Sequence, residues 1–302
     1  MRYLPFLLLL ASCDPAPASQ KTLQPVPKPA PAPAPAPEPI CEPCVPERTA
    51  HSLEVDPDCP CVWTKALSRA LTNYKDDTDR THNLMRASSL IYGKVLQPGE
   101  EFSFNDTVGK RNEKNGFKKA KVVFGGVLID DWGGGVCQVS STLHWAVLRA
   151  GLRPTQRTPH SRPSSYIGVG LDAAVSWPAV CEDDPDCPRI DFRFVNDYGF
   201  PLGLKVWFGN PGQLVAGIYA DKDLKLDVQL DSRFVFRGDF GVRERRSKWI
   251  KHPTKVQSGQ MGRSATTHVK VLYENGEALH DFKFHSLYRP VPEVWDVPLE
   301  EK

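Results

Sequence analysis

Gly133-Gly134-Gly135-Val136-Cys137-Gln138-Val139-Ser140-Ser141-Thr142-Leu143 places three glycines and one cysteine at the head of an apolar periodic run. Val139, Leu143, Ala146, Val147 and Ala150 recur at helical offsets, and Gly151 followed by Pro154 closes the segment. The spacing predicts a buried helix with Cys137 in its first turn. Unpaired backbone N–H groups and the positive end of the helix dipole favour a thiolate there, which is how a cysteine becomes a nucleophile. The glycines also let the backbone approach a substrate in conformations a side chain forbids. A buried structural cysteine beside a glycine-rich turn is the competing reading.

Outward from this helix, Val62, Trp63, Ala66, Leu67, Ala70, Leu71 and Tyr74 fall at helical offsets, and Thr81 to Tyr92 is a second helical stretch bounded by Gly93. Phe102 to Phe104 and Lys121 to Ile129 read as strands, the latter a hairpin about Gly125-Gly126. Asp191 to Val195 and Leu202 to Phe208 alternate as strands. Further strands are expected at Leu214 to Tyr219, Leu224 to Leu230 and Arg233 to Arg237. Thr266 to Tyr273 and Ala278 to Phe284 flank Asn275-Gly276, a strong hairpin turn. The fold class expected is α+β: an antiparallel sheet with a central helix carrying Cys137 at its N-terminus, then a smaller all-β C-terminal region.

The first 13 residues combine an Arg, the apolar run Leu4 to Leu10 and the ending Leu10-Ala11-Ser12-Cys13, a short export signal too brief to span a bilayer. The ending resembles a bacterial lipobox, which implies lipidation of Cys13 and a membrane anchor on the extracytoplasmic, for example periplasmic, side; an ordinary cleaved signal peptide is the alternative. Residues 14–47 are rich in Pro and Ala and build no core. In polyproline form the Asp14 to Pro39 part reaches roughly 80 Å at about 3.1 Å per residue, a stalk that holds a working domain away from the membrane.

Export sets an oxidising compartment, where cysteines pair. Cys41, Cys44, Cys59 and Cys61 then read as two disulfides, with zinc as the alternative, and Cys181 and Cys187 as a local bridge across an acidic loop. With Cys13 lipidated and these six paired, one of the eight cysteines remains, Cys137. No motif calls for a metal or an organic cofactor. The net charge of +2 gives no case for nucleic acid, and the basic stretch Arg243 to His252 reads as a solvated face.

Several motifs together resemble the VanW domain, a family named from a vancomycin-resistance cluster. They are Arg80 with Asn83-Leu84, Leu96 to Asn105, Val108-Gly109-Lys110-Arg111, Asn115-Gly116-Phe117 with Ala120, and Gly133 to Leu143. Pro159-His160-Ser161, Ser165-Tyr166, Gly170 to Val175, and Asp191-Phe192 to Asn196 complete the set. Departures are His144-Trp145, where the family usually has Tyr and Asn, and the segment from Cys181 to Cys187. The resemblance divides the folded part into a VanW-like domain at 48–210, with its cysteine-rich edge, and a β-rich extension at 211–302. Some VanW-domain proteins are L,D-transpeptidases of peptidoglycan, so the resemblance implies a cell-wall cysteine acyl transferase acting on stem peptides. An L,D-carboxypeptidase and a non-catalytic peptidoglycan-binding module are the alternatives.

Such chemistry needs a nucleophile, a base, an orienting group and oxyanion donors. Cys137 is the nucleophile and His160, in an extended Pro-rich segment able to fold back over the helix start, is the base. Asp172 is the candidate for orienting His160. Backbone N–H groups around Gly134, Gly135 and Gln138, with the Gln138 amide and Ser140, are candidate oxyanion and substrate-binding groups. Arg80, Arg157 and Arg162 are candidates for stem-peptide carboxylates, because a guanidinium pairs them bidentately.

Overall fold

The computed structural model describes residues 65–124, 127–177 and 189–299. Cys13, the Pro/Ala-rich tether and the cysteines at 41, 44, 59, 61, 181 and 187 lie outside the described residues, so the expectations of lipidation and disulfide pairing are named here only. Among the described residues there are fifteen strands and three helices, a mixed architecture of mainly antiparallel sheets with few helices.

The main sheet has the order β1 (Lys65–Asn73), β9 (Gln213–Ala220), β8 (Leu202–Phe208), β2 (Lys94–Leu96), all antiparallel. Helix α3 (Val136–Arg149) packs on β1 and β9, and α1 (Thr78–Ile91) packs on β8 and on α3. The apolar stripe expected of α3 is buried throughout: Val139, Leu143, Ala146 and Val147 are fully covered. Its other faces carry Ser140, Ser141, Thr142 and His144, also buried, so α3 is largely enclosed, with Cys137 and Trp145 partly covered and Arg149 exposed. Truncating Leu143 there would cost about 2–5 kcal/mol.

The expectation of a helix over Val62 to Tyr74 is corrected: its described part is strand β1. The physical reason is which residues face inward. Burial alternates with period two and falls on Ser68, Ala70 and Thr72, while Leu71 is exposed. Ser68 Oγ donates to the Ala146 carbonyl at 2.7 Å, and the Thr72 and Thr142 hydroxyls meet at 2.8 Å. Small polar residues therefore dock the strand on α3, a pattern that hydrophobicity alone cannot signal.

Strand β9 is also corrected. Leu214 to Tyr219 was expected in the extension after residue 210, but it lies inside the main sheet between β1 and β8, and Leu214, Ala216 and Ile218 join its core. A second layer holds β3 (Glu101–Ser103), β7 (Arg193–Val195) and β6 (Pro154–Gln156), in the order β3-β7-β6. Asp191 ties it to helix α2 (Phe104–Val108) by accepting from Ser103 Oγ at 2.7 Å, the Asn105 amide at 2.9 Å and Arg193 Nε at 2.8 Å. A hairpin, β4 (Lys119–Phe124) with β5 (Val127–Trp132), leads into α3.

After β9 the chain forms two three-stranded sheets, β10 (Leu226–Phe236) with β13 (Arg263–Tyr273) and β14 (Ala278–Tyr288), and β11 (Val242–Ser247) with β15 (Glu293–Pro298) and β12 (Thr254–Gln257). The two strands expected at Leu224 to Leu230 and Arg233 to Arg237 are one continuous strand, β10. Val269 and Val271 of β13 pack with Leu148 of α3, which joins the β10–β13–β14 sheet to the buried helix. No helix among the described residues is long and apolar enough to cross a membrane.

Candidate functional site

The three glycines before α3 are required for two different reasons. Gly133 (φ 76°) and Gly135 (φ 105°) occupy left-handed backbone that L-residues avoid. Gly134 instead lies against the β4 backbone, where an added Cβ would stand 2.5 Å from the carbonyl carbon of Ala120. Asn83 of α1 fastens the turn by donating to the Gly134 carbonyl at 3.0 Å while its own oxygen accepts from the Lys118 amide at 2.8 Å. Gly135 is the N-cap of α3 without a side-chain cap, so Cys137 sits in a first turn whose backbone donors are only partly matched. Cys137 is half-buried and free of any disulfide.

The segment after residue 157 folds back over this turn. Ser140 Oγ donates to the Ala173 carbonyl at 2.6 Å, and Ser141 Oγ accepts from the Ala173 amide at 3.1 Å. The Cys137 thiol donates to the Val175 carbonyl at 3.3 Å. Asp172, buried, accepts at one oxygen from the His160 amide at 2.7 Å and from His160 Nδ1 at 2.6 Å. At the other oxygen it accepts from Arg157 Nη2 at 3.0 Å and from the Tyr288 hydroxyl. With Nδ1 committed to Asp172, Nε2 is the nitrogen left to act on the Cys137 sulfur, which helps to raise His160. Asp172 thus holds His160 by two hydrogen bonds, and the imidazole in turn acts on the Cys137 sulfur.

The electrostatics follow from this packing. Burial pushes the Cys137 thiol up, but the His160 interaction and charge and the Arg111 charge outweigh it and leave the thiol below its ordinary value. Burial works against a charged His160, yet the neighbouring Tyr166 oxygen, the Asp172 carboxylate and the Cys137 sulfur raise it well above the usual imidazole range. Asp172 is driven far below the usual carboxylate range: burial opposes ionisation, and His160, Arg157 and Tyr288 overcome it. Both shifts run in the direction that favours a thiolate beside an imidazolium. His144, by contrast, is held neutral, pushed down to about 3 by burial and by Arg157, with Nδ1 bonded to the Leu171 carbonyl at 2.8 Å.

The line opens into a cleft of about 690 Å³ whose walls include Arg80, Arg111, Cys137, His160, Arg162 and Tyr166. Of the residues expected in the site, Arg80 and Arg162 reach this cleft with Cys137, His160 and Gly135. Several expectations are corrected. Arg157 is unavailable to a substrate: it is buried between Asp172, Ser286 Oγ (2.6 Å) and the Phe284 ring (5.0 Å). Ser140 is fully buried and pins the Ala173 carbonyl, and Gly134 faces Ala120. The Gln138 amide nitrogen is used internally, donating to Thr72 Oγ1 and the Asn73 carbonyl at 2.9 Å each, while its oxygen accepts from Arg80 Nη2 at 2.6 Å. Gln138 is thus a brace for Arg80.

Three residues of the cluster received no role from the sequence. Arg111 and Tyr166 stood in the quoted motifs without chemistry assigned to them. Arg111 is buried with Nη2 lacking a partner, and burial brings it down to about 10 while the Cys137 and Asp191 charges hold it up. Tyr166 lies in the cleft wall beside Ser164, and burial raises its hydroxyl. Tyr288 comes from β14, more than a hundred residues away in sequence, and no local pattern marks it.

Residues 79–219, from the first turn of α1 to near the end of β9, match the family described as VanW like protein. This part of the chain is a VanW-like domain. Its VanW-like segment contains Cys137, His160 and Asp172, whereas β1 and everything from β10 onward lie outside it. Among curated relatives, Uncharacterized protein YoaR of Bacillus subtilis (strain 168) is 40% identical over 145 residues, 48% of this chain and 45% of that protein. Vancomycin B-type resistance protein VanW of Enterococcus faecalis (strain ATCC 700802 / V583) is 32% identical over 117 residues, 36% of this chain and 42% of that protein. The chain therefore covers less than half the length of either VanW-like relative. The crystal structure of HP0197-G5 aligns with 24% of this chain at 12% identity and a TM-score of 0.12, too low to speak to the fold.

Proposed function

We propose that the Cys137 cleft is the active site of a cysteine acyl transferase acting on peptidoglycan stem peptides, an L,D-transpeptidase. The observation that carries this reading is His160, held at Nδ1 by buried Asp172 at 2.6 Å and sharing one cleft wall with Cys137, whose thiol it lowers. The resemblance to VanW domains supplies the substrate class. The name of the Enterococcus faecalis relative, a vancomycin resistance protein, agrees with a cell-wall role.

In the proposed reaction the Cys137 thiolate attacks the carbonyl preceding the terminal D-residue of a tetrapeptide stem. The carbonyl π electrons move to oxygen, where the Cys137 amide donates to the oxyanion and the Arg111 charge stands nearby. The Val136 and Gln138 amides are already paired with the Gly133 and Gly135 carbonyls, at 3.0 and 2.8 Å. Collapse breaks the C–N bond, and the leaving amine takes the His160 Nε2 proton, so a D-amino acid departs and a thioester remains. A neighbouring stem's amine then attacks, passes its proton to His160, and expels the thiolate. If water attacks instead, the same site is a carboxypeptidase. Arg80, steered by Gln138, and Arg162 are the groups for stem-peptide carboxylates. An export signal and a Pro-rich tether would hold this domain on the outer side of a membrane, facing the wall.

The test is turnover of a stem tetrapeptide by the wild type beside Cys137→Ala. The reading expects product from the wild type alone, with the variant still folded. Turnover that survives in the variant would end it, and binding in both without turnover in either would favour a wall-binding module.

A further inference from the structure

The loop carrying Asp172 belongs to the VanW-like segment but is also held from outside it. Ser232 Oγ of β10 donates to the Val169 carbonyl at 2.7 Å, and Thr267 Oγ1 of β13 donates to the Gly170 carbonyl at 3.2 Å. Gly170 (φ 91°) fits so closely that an added Cβ would lie 2.4 Å from Ser232 Oγ. The Gly170 amide donates to the Tyr288 hydroxyl at 2.8 Å, and that hydroxyl donates to Asp172. Tyr288 and Ser286 of β14 are each 1% exposed, and Ser286 receives Arg157, the other partner of the same carboxylate oxygen. Beside the site, the Arg289 amide donates to the Ser161 carbonyl at 2.8 Å, and Gln260 forms part of the cleft wall.

This arrangement matters because rotation of a carboxylate about its last torsion is soft. The two bonds from His160 hold one oxygen of Asp172; Tyr288 and Arg157 hold the other, and together they fix the plane that aims the imidazole at sulfur. We propose that Tyr288 is a positioning residue for the Asp172–His160 pair, with Ser286 acting through Arg157, so that the β region after residue 220 is a working part of the site. The inference deepens the acyl-transfer reading, but the aim of His160 stands apart from what Cys137 goes on to do.

Tyr288→Phe keeps the ring and removes only the donor. The titratable and charged groups facing His160 and Asp172 are Cys137, His144, Tyr166, Arg157 and Tyr288, and the substitution alters only the last. Two readouts on the full chain test the proposal: the pH–rate profile of Cys137 alkylation by iodoacetamide, and ¹⁵N NMR titration of His160. In Tyr288→Phe the thiol midpoint should rise and the His160 midpoint fall, each by about half a unit to one unit, so that alkylation near pH 6 slows roughly 3–10-fold. Ser286→Ala should shift both in the same direction by less. Val269→Ala thins the core of the same sheet without touching these bonds; it should lower the melting temperature and leave both midpoints in place. Unmoved midpoints in a folded Tyr288→Phe, or an equal shift in Val269→Ala, would overturn the proposal. An unreactive wild-type thiol with the His160 shift still present would instead count against the acyl-transfer reading while supporting this one.

Discussion

Asp172→Asn removes one charge from a place where nothing can replace it. The carboxylate is 2% exposed and accepts four hydrogen bonds, one of them from Arg157, itself only 6% exposed. An amide of the same size keeps one acceptor but turns a donor toward Arg157 or His160 and leaves the guanidinium buried without its counter-charge. Breaking a buried pair in this way costs about 3–5 kcal/mol. The sign with pH follows from the two shifted groups. Asp172 titrates lower folded than unfolded, so its contribution is present above the usual carboxylate value of about 4 and is lost as pH falls through the folded value. His160 titrates higher when folded, so its contribution is full below about 6.5 and is lost as pH rises through its folded value. The gap between wild type and variant should therefore be widest between about pH 4 and 6.5 and narrow on either side. Urea titrations at a series of pH values measure it as a fall in midpoint at unchanged slope. A loss under about 1 kcal/mol at pH 6, or a gap that stays constant from pH 6 to pH 9, would refute the argument, because the pair would then not be a buried, charge-coupled unit.

Three further outcomes follow from the same geometry. Iodoacetamide should alkylate Cys137 with a rate midpoint below that of an ordinary thiol, and His160→Ala should move that midpoint upward; an unchanged profile in that variant would show that the imidazole does not support the thiolate. Arg111→Met should also raise the midpoint, by less, since its charge ranks below that of His160 among the causes, and a downward shift would contradict the assignment. Gly134→Ala should destabilise by about 1–3 kcal/mol or more because its Cβ meets the Ala120 backbone, whereas Gly199→Ala, with no atom within 4 Å, should stay within about 0.5 kcal/mol; equal thermal shifts would show that the close approach is not rigid.

Much of the site could be read in the chain because its parts are local. The glycines, the helix and the cysteine lie within one turn of each other, and His160 and Asp172 follow in a single extended excursion. What the sequence hid depends on distance or on small residues. Strand β1 is inward-facing through Ser68, Ala70 and Thr72, so hydrophobic spacing favoured a helix. Arg157 has the same residue type as Arg80 and Arg162, and only its enclosure by Asp172, Ser286 and Phe284 separates a clamp from a substrate group. The Gln138 amide likewise could not be told from an oxyanion donor until its partners on β1 were in place. Tyr288 is joined to Asp172 across 116 residues, a link that only the docking of β14 creates.

The central claim is that Cys137 carries the acyl group. Intact-protein mass spectrometry of the reduced full chain mixed with a stem tetrapeptide tests it most directly, with Cys137→Ala beside it. The account predicts a transient mass gain equal to the tetrapeptide less its terminal D-residue, mapped to Cys137, with that amino acid released and cross-linked dimers formed when an amine acceptor is present. A folded wild type that shows neither adduct nor released amino acid, or a Cys137→Ala protein that still turns over, would contradict it.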